Sequence, residues 1–140
     1  MKINNIKSKL RDRNNMPIDI TEPCLLFNLH RTFRTTLGRL ELYDYTRHAW
    51  RLGARKEKAK YAMSIYKGTV QEVYTIAMWF PQNTTLNIKH VKDNHPTNIN
   101  KKRWEFVGQL APEPIRIKYL GINVSKYFRS KRNPIAYINC

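Results

Sequence analysis

Residues 43–80 read YDYTRHAWRLGARKEKAKYAMSIYKGTVQEVYTIAMWF, and the change of period inside this stretch decides the fold. Leading into it, Leu37, Leu40, Tyr43 and Arg47 fall on one face at helical spacing, and Thr36 is suited to N-cap a helix running to about Arg47. Gly53 then breaks the chain. The segment ARKEKAKYA (54–62) predicts a second short helix, with Ala59 and Ala62 facing inward and Arg55, Lys56, Lys58 and Lys60 spread over its surface. Glu57 can pair locally, but an exposed pair adds only about 0.2–0.5 kcal/mol, so such a helix would depend on packing. From Ser64 the period becomes two: Ile65, Lys67 and Thr69 alternate with Tyr66 and Gly68, then Val70, Glu72, Tyr74 and Ile76 with Gln71, Val73 and Thr75. β-branched and aromatic residues dominate, which predicts strand. Gly68 is expected to form a bulge or sharp bend in one long strand, and Trp79 and Phe80 close it before Pro81.

Upstream, Cys24–Leu29 is a short apolar run after Pro23, the pattern of a buried strand. Downstream, residues 81–102 are polar and rich in Asn, which predicts a loop with one edge strand over 86–91. Trp104–Gly108 reads as a strand, and 111–119 as a helical turn, with Pro114 suited to an early helix position. Val124–Phe128 is short and aromatic, 130–133 a basic turn, and 134–140 a final strand. Residues 1–15 predict a basic N-terminal arm and 16–140 a single domain. Few, short helices among antiparallel strands argue for an α+β domain built on a small curled antiparallel sheet or barrel with two or three short helices. A doubly wound α/β sheet is disfavoured, because the strand-rich second half has no crossover helices.

Charge is the strongest global property. The chain has 26 Lys and Arg against 10 Asp and Glu, a net +16, which repels itself and calls for a polyanionic partner. Nucleic acid is the favoured class, ahead of acidic protein or membrane surfaces. Seven of the basic residues lie within 43–80. Arg47, Arg51, Arg55, Lys56, Lys58 and Lys60 form the first candidate phosphate-binding run, Lys101, Lys102 and Arg103 the second, and Arg129, Lys131 and Arg132 the third. Trp50, Trp79 and Trp104 are the candidate base stackers, with Tyr66 and Tyr74 in reserve. A stacked base is worth about 1–3 kcal/mol, and the competing role for each Trp is a core anchor.

Two cysteines, Cys24 and Cys140, make no disulfide framework and suit a reducing compartment, in the cytoplasm or at the nucleoid. No apolar run reaches the length of a membrane span. The acids are few. Asp44 and Glu57 are the nearest pair to the basic stretch and lack a nuclease spacing. His90 and His95 have too few companions for a zinc site, and His30 with His48 is the remaining pair for metal-free RNA cleavage. No cofactor or metal is expected, and a non-catalytic protein is favoured over a small nuclease.

The segments TRHAWRLGARKEKAKYAMSIYKGTVQEVYTI, WEFVGQLAPEPIRIKYLG and NPIAYINC together resemble a domain of the PUA-like superfamily, which includes the EVE, ASCH, YTH and SRA groups. The resemblance covers roughly 24–140, and similar segments accompany GIY-YIG nuclease domains. It implies a pseudo-barrel with a cleft for a nucleobase, often modified or flipped. Thr46, Arg47 and Trp50 match a T-R-x-x-W element, which adds Thr46 to the base-binding candidates. Lys58, Tyr61 and Tyr66 match K-x-x-Y and the following Y-x-G, and Trp104, Phe106 and Gly108 match W-E-F-x-G. The nuclease half is missing: Tyr119-Leu120-Gly121 has no GIY partner upstream. The expectation is therefore a nucleic-acid-binding module with a basic phosphate-gripping surface and an aromatic cleft. Its rivals are a nuclease or nuclease accessory, and a basic subunit of a nucleoprotein or defence complex.

Overall fold

A computed structural model describes residues 18–30, 33, 36–87, 102–130 and 132–140. The expected N-terminal arm, residues 88–91 of the edge strand expected over 86–91, His90, His95, Lys101 and Lys131 lie outside the described residues, and Leu86 and Asn87 are not in a strand.

The elements in chain order are β1 (Cys24–Asn28), α1 (Arg39–Arg47), β2 (Trp50–Arg51), a 3-10 turn (Ala54–Lys58), β3 (Tyr61–Tyr66), β4 (Thr69–Pro81), β5 (Arg103–Leu110), α2 (Glu113–Tyr119), a short 3-10 turn (Ser125–Tyr127) and β6 (Ile135–Ile138). The six strands form one sheet in the order β2-β5-β4-β3-β1-β6, curled into a half-barrel. This is a small α+β fold.

Three expectations are corrected. The sheet is mixed rather than antiparallel: β1 runs parallel to β3, with Cys24 opposite Tyr61 and Asn28 opposite Ile65. Parallel neighbours need a crossover of a dozen or more residues, and the chain from 29 to 60, carrying α1, provides it. The second helix is only the 3-10 turn 54–58, since Tyr61 and its successors are claimed by β1 on one side and β4 on the other. Gly68 is not a bend within one strand. Lys67 and Gly68 both take positive φ, 48° and 76°, and make the two-residue turn of a β3–β4 hairpin.

Both faces of the sheet are covered, so the YAMSI run of β3 is buried throughout, Ser64 included. Cys24, Leu26, Met63, Ile65, Val73 and Ile138 point to one face, where Tyr119 and Ile115 of α2 and the following loop close the core. Leu25, Phe27, Ala62, Tyr74, Trp79 and Phe106 point to the other, under Leu42, Tyr43 and Tyr45 of α1. Each buried Leu, Ile or Phe contributes about 1.5–3 kcal/mol. The two thiols fall in different layers, Cys24 in the first and Cys140 packed on the second, and both are free.

The outer edge of β5 is finished by side chains. The Tyr43 hydroxyl accepts from Gly108 N (2.9 Å) and donates to Gly108 O (3.1 Å), and Arg47 donates to Phe106 O (3.3 Å). An edge whose backbone groups are occupied in this way cannot template another strand.

Candidate nucleic-acid interface

The residues of the T-R-x-x-W element lock the end of α1. Thr46 is fully buried and its hydroxyl donates to Leu42 O (2.6 Å), while the Trp50 indole donates to Thr46 O (2.7 Å) and stacks on Phe27 at 4.6 Å. Arg47 is 2% exposed. Its guanidinium bonds Asp44 (2.8 Å), Thr85 Oγ1 (2.7 Å) and Leu86 O and lies 3.6 Å from Glu105, itself fully buried. The Glu105 carboxylate also accepts from Asn83 N, Thr85 N (3.2 Å) and the Thr85 hydroxyl, and His48 Nε2 stands 3.6 Å away. Desolvating these charges is costly, and dense hydrogen bonding offsets it. The cluster ties the end of α1 to β5 and the 81–87 segment.

The expectation that Arg47 and Lys56 stand on the cationic surface is thereby corrected in their placement. Arg47 is an internal ligand of two carboxylates. Lys56, 6% exposed, lays its ammonium over the Trp104 ring at 4.0 Å and pairs with Glu57 at 3.4 Å. Trp79 is a core anchor: it is 9% exposed, packs edge-on against Phe106 and donates to Lys56 O (3.1 Å). Trp50 and Trp104, both half-buried, face each other in the β2–β5 pair. Tyr66 is half-buried against Phe33 at 4.4 Å, and Tyr74 is buried, its phenol pushed up by desolvation.

Two concavities stand out among the described residues. The first, of about 490 Å³, lies between α1, β5 and the 85–87 segment. Leu40, Tyr43, Asp44 and Arg47, one stripe of α1, line it with Thr85, Leu86, Asn87 and Val107. Its walls are apolar, with Leu40 55% and Leu86 83% exposed, and its polar groups are those of the buried charge cluster. The second, of about 260 Å³, is polar and is lined by Arg55, Tyr127, Arg129, Ser130, Asn133 and Tyr137 with Ile135 and Ala136. Here the first and third basic runs meet. Arg55 lies over the Tyr137 ring at 4.3 Å and donates to the main-chain oxygen of Cys140 (3.0 and 2.6 Å). Lys58 also acts on the Cys140 thiol.

The surface charge is asymmetric. On the α2 side each cation has a carboxylate: Arg116 with Glu72 (2.8 Å), Lys118 with Glu22 (3.0 Å) and Lys126 with Asp19. Arg51, Arg55, Lys58, Lys60, Arg129 and Arg132 are exposed and have no Asp or Glu partner among the described residues, and the same holds of Arg39 and Lys67 elsewhere on the surface. Arg103 stands opposite Arg51 at the β2–β5 edge, where it donates to Ala49 O (3.1 Å), and Lys102 is exposed beside it.

Comparison with family models, curated proteins and solved structures finds no match to this chain.

His48 is engaged with Asn83 (2.7 Å) at the charge cluster and His30 is exposed in a turn. Among the described residues no three His, Cys, Asp or Glu side chains are grouped to hold a metal ion, and no helix is long and apolar enough to cross a membrane. Sequence reasoning missed the α1 stripe Tyr43–Asp44–Arg47 as a cleft wall, although its 3–4 spacing was readable. It also missed Tyr127, Ser130, Asn133 and Tyr137. Nothing in a single sequence joins those four to Arg55.

Proposed function

We propose that the chain is a non-catalytic nucleic-acid-binding module of PUA-like kind, which grips phosphates with the surface built from the 51–60 segment and the 129–132 loop. The observation that carries the reading is the charge asymmetry: carboxylates pair with Arg116, Lys118 and Lys126 on the α2 side, whereas in the 51–60 segment only the buried Lys56 has one, Glu57. Coulombic attraction sums along a polyanion, so six uncompensated cations on a fixed scaffold favour a phosphate backbone over an isolated acidic group. Base reading, if a flipped or modified base is the target, belongs to the 490 Å³ cleft rather than to a tryptophan cleft. There Tyr43 offers a ring, and Asp44, Arg47 and Thr85 lie at the polar end.

The test is the salt dependence of binding to a short duplex. Each phosphate contact contributes about 0.9 to the slope of log K against log salt. The Arg55→Ala/Lys58→Ala/Lys60→Ala variant should lose about two to three units of slope. Arg116→Ala/Lys118→Ala/Lys126→Ala, which removes the same formal charge from the other side, should lose less than about one. Equal losses from the two variants would reduce binding to net charge and sink the assigned face.

A further inference from the structure

We propose that the 260 Å³ polar pocket is a receptor for a phosphate monoester, and that the module thereby recognises a phosphorylated end of a nucleic acid. The inference rests on the nucleic-acid reading for the identity of the chain that carries the phosphate, but not for the chemistry of the pocket.

The lining is a set of donors. Arg55 is held in place by the Tyr137 ring beneath it and by the Cys140 oxygen, which takes Nε and Nη2 and leaves Nη1 uncommitted. Ser130 Oγ accepts from Arg132 N (3.1 Å), so its own hydrogen is available to donate. The Tyr127 hydroxyl accepts from Ile20 N (2.8 Å) and likewise keeps a hydrogen. Asn133 spends its carbonyl on Ile135 N (3.1 Å), which leaves the amide NH2 as its remaining function. Arg129 adds a second guanidinium, and no Asp or Glu side chain among the described residues lines the pocket. A site with two guanidinium groups, hydroxyls and an amide NH2 is matched by a small multivalent anion.

Size and charge select among anions. A cavity of 260 Å³ lies below the roughly 300–1,000 Å³ of sites that hold drug-sized ligands, so it takes a headgroup rather than a whole nucleotide. A monoester carries about −1.5 to −2 near neutrality and three strong acceptor oxygens, which suits two arginines. An internal phosphodiester has one charge and two ester links. It can lie along the surrounding cations but brings backbone on both sides, whereas a terminal phosphate enters a concavity alone.

The experiment compares oligonucleotides of one sequence ending in a 5′-phosphate, a 3′-phosphate or hydroxyls only. Inorganic phosphate and a phosphoserine peptide are added as separate probes, and Tyr and Arg resonances are followed by NMR. One phosphorylated end should bind about tenfold more tightly than the hydroxyl-ended strand. Tyr127→Phe and Asn133→Ala, which remove a hydroxyl and an amide donor of the pocket, should abolish that preference and leave hydroxyl-ended binding unchanged. Equal affinity for all ends would overturn the proposal while leaving the nucleic-acid reading intact. If no oligonucleotide binds but inorganic phosphate shifts the Tyr127 and Tyr137 resonances, the pocket chemistry stands and the nucleic-acid reading fails. A phosphoserine peptide that outcompetes both ends, or no response to any probe, would overturn the proposal.

Discussion

Replacing Glu105 by Gln keeps the shape of the side chain and removes its charge. In the native protein one carboxylate oxygen accepts from Asn83 N, and the other from Thr85 N and the Thr85 hydroxyl, with Arg47 and His48 both at 3.6 Å. A carboxamide presents NH2 where one oxygen stood, so a donor meets donors on at least one side. Arg47 then keeps Asp44 as its sole carboxylate partner among the described residues. Removing one partner of a buried ion pair costs about 3–5 kcal/mol, against a total stability on the order of 5–15 kcal/mol. For a domain of this size that corresponds to a fall in Tm of roughly 10–20 °C. Urea denaturation measures it directly: the midpoint should fall with m unchanged, since the surface exposed on unfolding is the same. A cycle with Thr85→Val should give a coupling of about 1.5–3 kcal/mol, the worth of a hydrogen bond to a charged group. A cost below about 1 kcal/mol for Glu105→Gln would refute the claim that this carboxylate ties α1, β5 and the 81–87 segment together.

Tyr43→Phe keeps the ring but strips both bonds from Gly108, so it should cost about 1–3 kcal/mol. It should also induce concentration-dependent association detectable by light scattering, because the β5 edge is uncovered. Gly108→Ala would place a Cβ 2.0 Å from Thr75 O and 3.1 Å from Thr75 C, a backbone clash that should cost at least about 3 kcal/mol by thermal melting. At Gly53 nothing lies within 4 Å of the added carbon, so Gly53→Ala should be neutral or gain about 0.4–1 kcal/mol. Burial pushes the Glu22 carboxyl up, but the bonds from Tyr119 and Lys118 outweigh it and hold its titration below the ordinary value. Its contribution is therefore present above the unfolded value and lost as pH falls through the folded one. The destabilisation caused by Glu22→Gln should be visible at neutral pH and vanish on acid titration of denaturant midpoints. Desolvation raises the Cys24 thiol to about 12, so native protein should leave Cys24 unmodified by a thiol reagent at neutral pH while unfolded protein reacts.

Strands with strict alternation or an unbroken apolar run were legible in the sequence, because the side-chain period records directly which faces are covered. Cys24–Asn28, Thr69–Phe80, Trp104–Gly108 and the final strand all follow that logic. Pairing was not legible. A run such as CLLFN states that it is buried and not which neighbour runs parallel to it. Local propensity misled at 54–62, where good helix formers yield to the sheet's demand for Tyr61 and Ala62. Lys67 at positive φ hid the hairpin, since Asn or Gly is the usual signal there.

The candidate site follows the same division. Accumulated charge was readable, and so was the helical stripe Leu40–Tyr43–Arg47. Which cations are internal was not, because the burial of Arg47 depends on Glu105, 58 residues away in sequence, and that of Lys56 on the Trp104 ring. The tryptophans illustrate the converse. The hydrogen-bond partners of Trp50 and Trp79, Thr46 O and Lys56 O, are backbone atoms with no sequence signature.

On the proposed function, a polyanion meets the 51–60 and 129–132 surface and not the α2 face. Titration of isotopically labelled protein with a short oligonucleotide, followed by amide shift mapping, tests it most directly. Shifts should concentrate at Arg51, Arg55, Lys58, Arg129, Arg132 and Tyr137, with residues 113–119 and Lys126 unmoved. Shifts centred on α2, or none at low salt, would contradict it.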